Sequence, residues 1–297
     1  MPNNQPADGA GTQPVVGVIG LGDIGDGVAS SVLRAGLPLV VCDLRTEATD
    51  RYRDGSVVAD SPADLVRQSD VVVVAVVNDD QVHAVLSGPE GGLAASDGDT
   101  TLIIVSTITV PCIEAIGAEA AGRGAKVLDC GVTGGPTAAA AGELVCMVGG
   151  DVDAIERVHP VFDAIGSLTV RMGAFGAGLA AKLARNLITY GSWLAAYEGQ
   201  VLAEAAGIDL AKLAEVVKAS DVQIGGASRL MFRPTVAPFT DEDNESLVGA
   251  MRTASLLAHK DLRAALELAR TLDVELPLGL MTEERCDQIF GVGSVAK

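Results

Sequence analysis

The sequence predicts an α/β domain with a doubly wound, mainly parallel sheet, followed by a second domain made only of helices. Between residues 15 and 172, short apolar runs rich in β-branched residues alternate with Ala-rich helical stretches. A run that is apolar throughout, such as Val71–Val77, is typical of a strand buried on both faces of a parallel sheet. After Met172 the strand signal stops, and Ala, Leu, Glu and Lys recur with helical periodicity.

Three segments follow from this pattern. Residues 1–14 are polar and are expected to form a loose N-terminal tail, residues 15–172 the sheet domain, and residues 173–297 the helical domain. The helical domain is expected to open with one long helix over about Gly178–Ala206 and to close with helices over about Glu245–Leu272 and Pro277–Phe290. The expected strands are Val15–Ile19, Leu37–Cys42, Asp70–Val77, Thr101–Val105, Lys126–Asp129, Leu144–Val148 and Leu168–Arg171.

The composition narrows the class of protein. The 297 residues carry 21 basic and 39 acidic side chains, and a net charge of −18 disfavours nucleic acid and anionic membrane surfaces as partners. No stretch reaches the ~20 apolar residues of a membrane helix. The five cysteines form no C-x-x-C pair, so we expect buried, inert thiols in a reducing, cytoplasmic setting, and no metal site.

The first apolar run leads directly into the sequence Gly20-Leu21-Gly22-Asp23-Ile24-Gly25. In the pattern G-x-G-x-x-G after a strand, the first glycine permits a tight turn, the second lets a pyrophosphate approach the backbone, and the third allows close helix packing. The N–H groups at the start of the following helix favour anions. This context predicts a Rossmann-type domain that binds a dinucleotide, and a tight turn without a ligand is the alternative.

Asp43 follows the second apolar run, at the spacing of a carboxylate that accepts hydrogen bonds from a ribose 2′-hydroxyl. A carboxylate there repels a 2′-phosphate, so NAD is favoured over NADP. Arg45 lies two residues later and keeps NADP possible, because a guanidinium can pair with that phosphate. The alternative for Arg45 is a solvated loop residue.

A second glycine-containing turn follows the strand that begins at Lys126. Its residues Thr133, Gly134 and Gly135 can present converging N–H groups and a hydroxyl, which suits a substrate carboxylate. A simple tight turn before a helix over residues 136–142 is the competing interpretation.

Gly178, Lys182 and Asn186 are spaced four residues apart, so they share one face of the long predicted helix. The neighbouring residues are Leu and Ala. A lysine at such a position extends to solvent or, if it points into a cleft, has a lowered pKa and can act as a general acid or base.

These motifs together resemble the β-hydroxyacid dehydrogenase family, which includes 3-hydroxyisobutyrate dehydrogenase and tartronate semialdehyde reductase. Four segments align in order over nearly the whole chain: GLGDIGDGVASSVL for the cofactor loop, DCGVTGG for the family's D-x-P-V-S-G-G substrate loop, GAGLAAKLARN for its G-x-G-x-x-x-K-x-x-x-N catalytic helix, and LLAHKDL for its K-D cofactor motif. The chain departs from the family where Gly131 replaces a proline, Thr133 a serine, Arg185 a frequent asparagine and Thr253 a common aromatic residue.

The resemblance implies a role for each matching residue. Lys182 would be the catalytic acid/base and Asn186 would orient the reacting hydroxyl, while Thr133, Gly134 and Gly135 would hold the substrate carboxylate. For the remaining candidates, Ser106 would lie at the substrate and nicotinamide ribose, Thr107 beside that ribose, Val77 and Asn78 on the adenosine side, and Lys260 near the nicotinamide.

The expected reaction is reversible hydride transfer between NAD, or NADP, and the carbinol carbon of a small 3-hydroxy or 2-hydroxy carboxylic acid. Imine reduction on the same scaffold, a non-catalytic NAD-binding protein, and a phosphosugar dehydrogenase using Arg229 and Arg233 are the alternatives. Apolar faces of the second domain suggest a homodimer or homotetramer.

Overall fold

A computed structural model of the chain describes residues 13–89 and 91–292. In this part of the chain, eight strands form one sheet in the order β3-β2-β1-β4-β5-β6-β7-β8. The strands are β1 (Val16–Ile19), β2 (Leu39–Cys42), β3 (Val57–Val58), β4 (Val71–Val74), β5 (Thr101–Ile104), β6 (Lys126–Thr133), β7 (Leu144–Gly149) and β8 (Gly166–Gly173).

Strands β1 to β6 are parallel to one another, as predicted for a doubly wound sheet. Strand β7 runs antiparallel to β6, and β8 is parallel to β7. The strand order reverses beside β1, whose neighbours are β2 on one side and β4 on the other. The carboxyl ends of β1 and β4 therefore diverge into a crevice where such folds bind ligands.

Helices flank the sheet strands in sequence and continue after them. They are α1 (Asp23–Arg34), α2 (Thr46–Asp50), α3 (Pro62–Arg67), α4 (Asp79–Leu86), α5 (Gly92–Ala95), α6 (Val110–Arg123), α7 (Gly135–Ala141), α8 (Val152–Arg157), α9 (His159–Ile165), α10 (Ala177–Ala205), α11 (Leu210–Ile224), α12 (Glu245–Thr271), α13 (Pro277–Glu284) and α14 (Cys286–Ile289).

The core lies on both faces of the sheet. Along β4, Val71 and Val73 pack into one apolar cluster, and Val72 and Val74 pack into the other. Side chains alternate across a strand, so an all-valine run supplies both layers at once. This explains why the strands of the sheet are apolar throughout rather than alternating with polar residues.

The chain divides into two compact units between Arg185 and Asn186, inside α10. The described part of the first unit contains the sheet and its helices, and that of the second contains the rest of α10 and α11 to α14. In the second unit, Tyr190, Trp193, Leu194 and Tyr197 form a stripe at i, i+3, i+4 and i+7, and each side chain is about half exposed or more.

Several predicted bounds differ from the structure. The two-residue strand β3 was not predicted, because it is too short to form an apolar run. Strand β6 continues past the expected end at Asp129 to Thr133, because its last residues pair with β7. The helix expected over Pro277–Phe290 is two helices, α13 and α14. Up to residue 12, the expected N-terminal tail lies outside the described residues.

Candidate active site

The first glycine turn, Gly20–Gly25, connects β1 to α1. Gly20 has a φ of +87°, a backbone conformation that favours glycine. A Cβ on Gly25 would overlap the Gly20 carbonyl oxygen, so the third glycine is needed for α1 to begin this close to β1. At Gly22, by contrast, a Cβ would meet open space, which leaves the turn accessible to an approaching phosphate group.

Asp43 closes this turn from the end of β2. Its Oδ2 accepts a hydrogen bond from the Leu21 backbone N–H at 2.6 Å, and its Oδ1 accepts from the Arg45 backbone N–H at 2.8 Å. The Arg45 guanidinium donates to the same carboxylate and to the Leu21 carbonyl oxygen, at 3.0 Å in each case. Burial alone would raise the pKa of Asp43, but the Arg45 hydrogen bond and the two backbone bonds outweigh it and lower the pKa.

A cavity of about 340 Å³ opens at the carboxyl ends of β1, β2 and β4. Its lining includes Gly20, Gly22, Asp43, Arg45 and Val77. The start of α1 has no side-chain cap, so its first N–H groups are available as donors, and Asp43 at the end of the neighbouring strand supplies an acceptor. A dinucleotide requires such donors and acceptors. The residues present therefore fit a dinucleotide cofactor of the NAD(P) type.

The other predicted cofactor residues lie in the loops after β4 and β5. Val77 is 76% exposed and lines the cavity, whereas the Asn78 side chain caps α4 by accepting from the Gln81 N–H at 2.9 Å. Ser106 is buried, and its hydroxyl accepts a hydrogen bond from the Val76 N–H at 2.9 Å. It thus ties two loops together, while Thr107 beside it is exposed.

The second glycine turn, Thr133–Gly135, lies where β6 ends and α7 begins. Gly134 and Gly135 have φ values of +121° and +71°. Two successive residues of this kind can turn neighbouring N–H groups toward one side, which gives the turn the features of an anion-binding concavity.

Lys182 lies against the same strand. Its Nζ donates a hydrogen bond to the Val132 carbonyl oxygen at 2.5 Å, so the amine is held at the residue that precedes Thr133. Burial lowers the pKa of Lys182, and the positive charge of Arg185 lowers it further. Both effects increase the fraction of neutral amine near neutral pH, which is the form that can accept a proton.

Asn186 and Lys260 belong to the second unit. Asn186 lies one turn beyond Lys182 on α10, as its spacing predicts. Lys260 lies on α12, where its 70% exposed side chain forms an ion pair with Asp261 at 3.2 Å. The structure thus places Lys182, Val132 and the second glycine turn together, and the first glycine turn, Asp43 and Arg45 together.

One residue of the site was not assigned a role from the sequence. Asp129 is buried on β6, and its two carboxylate oxygens accept the backbone N–H groups of Gly176 and Leu179 at 2.6 Å each. These partners are 47 and 50 residues away in sequence. The only available signal was its position as first residue of the DCGVTGG segment.

Clustered metal ligands are absent from the described residues. In that part of the chain, no group of three or more His, Cys, Asp or Glu side chains is arranged to hold a metal ion. All five cysteines are free and buried. None of the described helices is long and apolar enough to cross a membrane.

A dinucleotide crevice at the switch point of the sheet and a half-buried lysine beside a glycine turn define an NAD(P)-dependent oxidoreductase. Comparisons with known proteins identify the family. Residues 15–192 match the family described as the NAD binding domain of 6-phosphogluconate dehydrogenase, and residues 176–292 match the family described as NAD-binding of NADP-dependent 3-hydroxyisobutyrate dehydrogenase. The chain belongs to the β-hydroxyacid dehydrogenase family.

Individual relatives agree with this assignment. L-threonate dehydrogenase of Cupriavidus necator is 35% identical, covering 95% of this chain and 91% of its own. NAD-dependent L-serine dehydrogenase of Pseudomonas aeruginosa is 33% identical, covering 89% and 88%. A crystal structure of an oxidoreductase from Mycobacterium avium 104 superposes with a TM-score of 0.86 at 34% identity, covering 95% of this chain and 100% of the other.

An imine reductase from Myxococcus stipitatus, a V8 variant in complex with NAD⁺, superposes with a TM-score of 0.76. It is 19% identical and covers 95% of both chains, so this likeness shows the fold alone.

Proposed function

We propose that this enzyme transfers a hydride between NAD and the hydroxyl-bearing carbon of a small 3-hydroxy or 2-hydroxy carboxylic acid, with Lys182 as the general acid/base. The observation that carries the proposal is the position of Lys182, whose half-buried amine lies on the Val132 carbonyl immediately before the second glycine turn. L-Threonate and L-serine, named for two relatives, are hydroxy acids.

Each residue has a defined task in this scheme. Thr133, Gly134 and Gly135 bind the substrate carboxylate through the hydroxyl and backbone N–H groups, and Asn186 orients the reacting hydroxyl. In oxidation the neutral Nζ of Lys182 accepts the hydroxyl proton, and in reduction its ammonium form returns a proton to the carbonyl oxygen. NAD, when bound, supplies the hydride acceptor for oxidation and, as NADH, the donor for reduction.

For the cofactor we propose a preference for NAD, because Asp43 lines the cavity and its negative charge would repel a 2′-phosphate bound beside it. In the structure Arg45 is engaged by Asp43 and by the Leu21 carbonyl, so it must leave both before it can pair with a 2′-phosphate. Ser106, Thr107, Val77, Asn78 and Lys260 remain proposed substrate or cofactor contacts.

Three alternatives are less well supported. Imine reduction does not use Lys182 as an acid/base on a hydroxyl. A non-catalytic binding protein does not account for the burial of Lys182. A phosphosugar dehydrogenase would need Arg233, but that guanidinium donates to the Ala237 carbonyl at 2.7 Å and stacks over the Phe239 ring at 3.8 Å.

A second copy of this chain is the proposed partner. This proposal is supported by the exposed apolar stripe on α10, Tyr190 to Tyr197, since exposed apolar patches often mark interfaces between proteins. Trp193 is the only tryptophan and is 64% exposed. We expect its fluorescence emission to shift to the blue when two copies associate and to return when the protein is diluted. Sedimentation of the wild type as a monomer at micromolar concentration contradicts this proposal. The five free cysteines agree with a reducing, cytoplasmic location.

The reaction is tested by measuring absorbance of the reduced cofactor with a panel of 3-hydroxyisobutyrate, L-serine, glycerate, 3-hydroxypropionate, L-threonate and the matching aldehydes. Each compound is assayed with NAD and with NADP. We expect turnover of at least one hydroxy acid, with NAD preferred. Turnover of cyclic imines with no hydroxy acid oxidised supports the imine alternative, and cofactor binding without any turnover supports the non-catalytic one.

A further inference from the structure

Asp129 presents an unusual arrangement for a buried charge. It is 1% exposed and, in the described structure, forms no ion pair. An ionised carboxylate in such a place is costly unless hydrogen bonds replace its water. Here each oxygen accepts one backbone N–H at 2.6 Å, from Gly176 and from Leu179, and such charge-assisted bonds are stronger than neutral ones.

The two donors are at the start of α10. The first N–H groups of a helix have no partner within the helix, and this end carries the positive part of the helix dipole. Asp151 and Asp209 cap α8 and α11 from the residue next to each helix. Asp129 instead reaches the start of α10 from a strand of the sheet, so its bonds fix where the helix lies on β6.

Lys182 follows this anchored turn by three residues, and β6 contacts it at two further points. A Cβ on Gly131 would overlap the Cβ of Lys182 and would lie 2.8 Å from the Gly178 carbonyl oxygen, so the missing side chain at 131 allows the close approach. The Val132 carbonyl accepts the hydrogen bond from Nζ. Residues 129, 131 and 132 of one strand thus contact the start of the helix, the stem of the lysine and its amine.

We propose that Asp129 is a positioning residue, which together with Gly131 holds the lysine helix on β6 and so keeps the Lys182 amine half-buried beside the second glycine turn. This inference rests on the proposed role of Lys182. Asp129 acts through the backbone of α10 and makes no ion pair with the amine.

A chemical consequence follows from the burial. Burial is the largest cause of the lowered pKa of Lys182, and Arg185 on the same helix is the other; from β6 the neighbouring ionisable group is Asp129, bonded to the backbone. If the start of α10 is released from β6, Lys182 gains solvent and its pKa moves upward toward that of free lysine, ~10.4. A residue that only stabilises the fold would not move this pKa.

The variant Asp129→Asn tests the proposal, because it keeps the size of the side chain and turns one acceptor into a donor that faces an N–H. In protein saturated with NAD, the reaction of Lys182 with acetic anhydride is followed against pH by peptide mass spectrometry. We expect the midpoint of labelling to move to higher pH. We also expect kcat on the best substrate to fall roughly tenfold to hundredfold, as for a displaced catalytic group, with the Kd for NAD nearly unchanged.

The matched control is Asp151→Asn. Asp151 caps α8 in the same unit by accepting the Ala154 N–H at 3.1 Å, so its loss should lower stability without moving the Lys182 labelling profile or kcat. If Asp129→Asn fails to fold, Gly131→Ala decides, because the added Cβ pushes β6 from the helix while Asp129 stays. Its control is Gly122→Ala, where the added Cβ meets open space.

The inference is overturned if Asp129→Asn or Gly131→Ala folds and keeps the wild-type labelling profile and kcat. An equal shift of the labelling midpoint in Asp151→Asn also overturns it. The proposed function fails in a different way. If Lys182→Ala keeps its turnover, Lys182 is not the acid/base. If Lys182→Ala is inactive but Asp129→Asn keeps the wild-type labelling profile and kcat, the proposed function stands and only the positioning role of Asp129 is removed.

Discussion

The two glycine turns lie on the same sheet and are built differently. The first is closed by Asp43, which is 22 residues from its partner Leu21 and comes from the adjacent strand. The second is approached by Lys182, which is 50 residues from its partner Val132 and comes from a helix that begins after the last strand. The first turn is thus a local unit of two strands and a helix, whereas the chemistry of the second depends on how a distant helix is fixed. Changes in the two turns should have separable effects.

The largest difference between an effect on catalysis and an effect on NAD binding is expected from Lys182→Ala. Only the proton transfer at the second turn is removed, so kcat should fall by roughly 10²–10⁴, the usual contribution of a general acid or base. NAD affinity, measured by fluorescence titration, should stay near wild type because the cofactor residues are untouched. Lys212→Ala on α11, which removes an exposed lysine, serves as the control. Near-wild-type turnover in Lys182→Ala contradicts the assignment.

Gly134→Val should produce the next largest effect, in KM rather than in NAD binding. The residue has a φ of +121°, where valine is strained, and its added Cβ would lie 2.5 Å from that of Ala138. We expect KM for the acid to rise roughly tenfold or more as the converging N–H groups are displaced.

The control for this change is Gly36→Val, also at a positive φ (+77°) but after the carboxyl end of α1. It should cost stability and leave KM unchanged. An equal loss of NAD affinity in Gly134→Val means that the second turn binds cofactor, and the contrast between the turns then disappears.

Asp43→Ala tests the first turn in the same way. Removing the carboxylate ends the repulsion of a 2′-phosphate and frees Arg45 to pair with it, so the ratio of kcat/KM values should move toward NADP by roughly tenfold. Asp50→Ala, which breaks an exposed ion pair with Arg53, is the control. A wild-type enzyme that already prefers NADP shows that the argument from Asp43 is wrong.

The smallest effect is expected from Arg185→Gln. The rate of alcohol oxidation should rise with pH through the pKa of Lys182, because the neutral amine is the base. Loss of the positive charge of Arg185 stabilises the ammonium form of Lys182, so that the pKa and the pH profile move upward. Arg185→Lys keeps the charge and should keep the profile. An unchanged profile in Arg185→Gln leaves burial as the sole cause of the lowered pKa.

Most of the fold could be predicted from the sequence, because strands that are buried on both faces form recognisable apolar runs. Val71–Val74 is recognisable as a strand from four valines in a row, and its predicted place in a parallel sheet is confirmed. Strand β3 contains only Val57 and Val58, which pair with β2, so no apolar run predicts it from the sequence. The continuation of β6 from Cys130 to Thr133 depends on an antiparallel neighbour that lies later in the chain.

The site residues also differ in how far they could be predicted from the sequence. The first glycine turn and Asp43 were readable because their spacing is fixed within one strand-helix-strand unit. Lys182 was readable as a residue, but its hydrogen bond to Val132 was not, because helix periodicity gives a face and no partner. Asp129 was missed since the N–H groups it binds belong to the backbone, which has the same composition at every position and leaves no mark in the sequence.

Helix α10 has a consequence for how such a chain can be divided or exchanged. It is 29 residues long, or about 44 Å, and the boundary between the two units falls within it after Arg185. A cut at that boundary would leave Lys182 in a last turn whose carbonyl groups have lost their partners and whose ends fray. The second unit therefore cannot be exchanged for that of a relative as a module joined at a loop. Any recombination that respects the catalytic lysine must carry the helix as a whole.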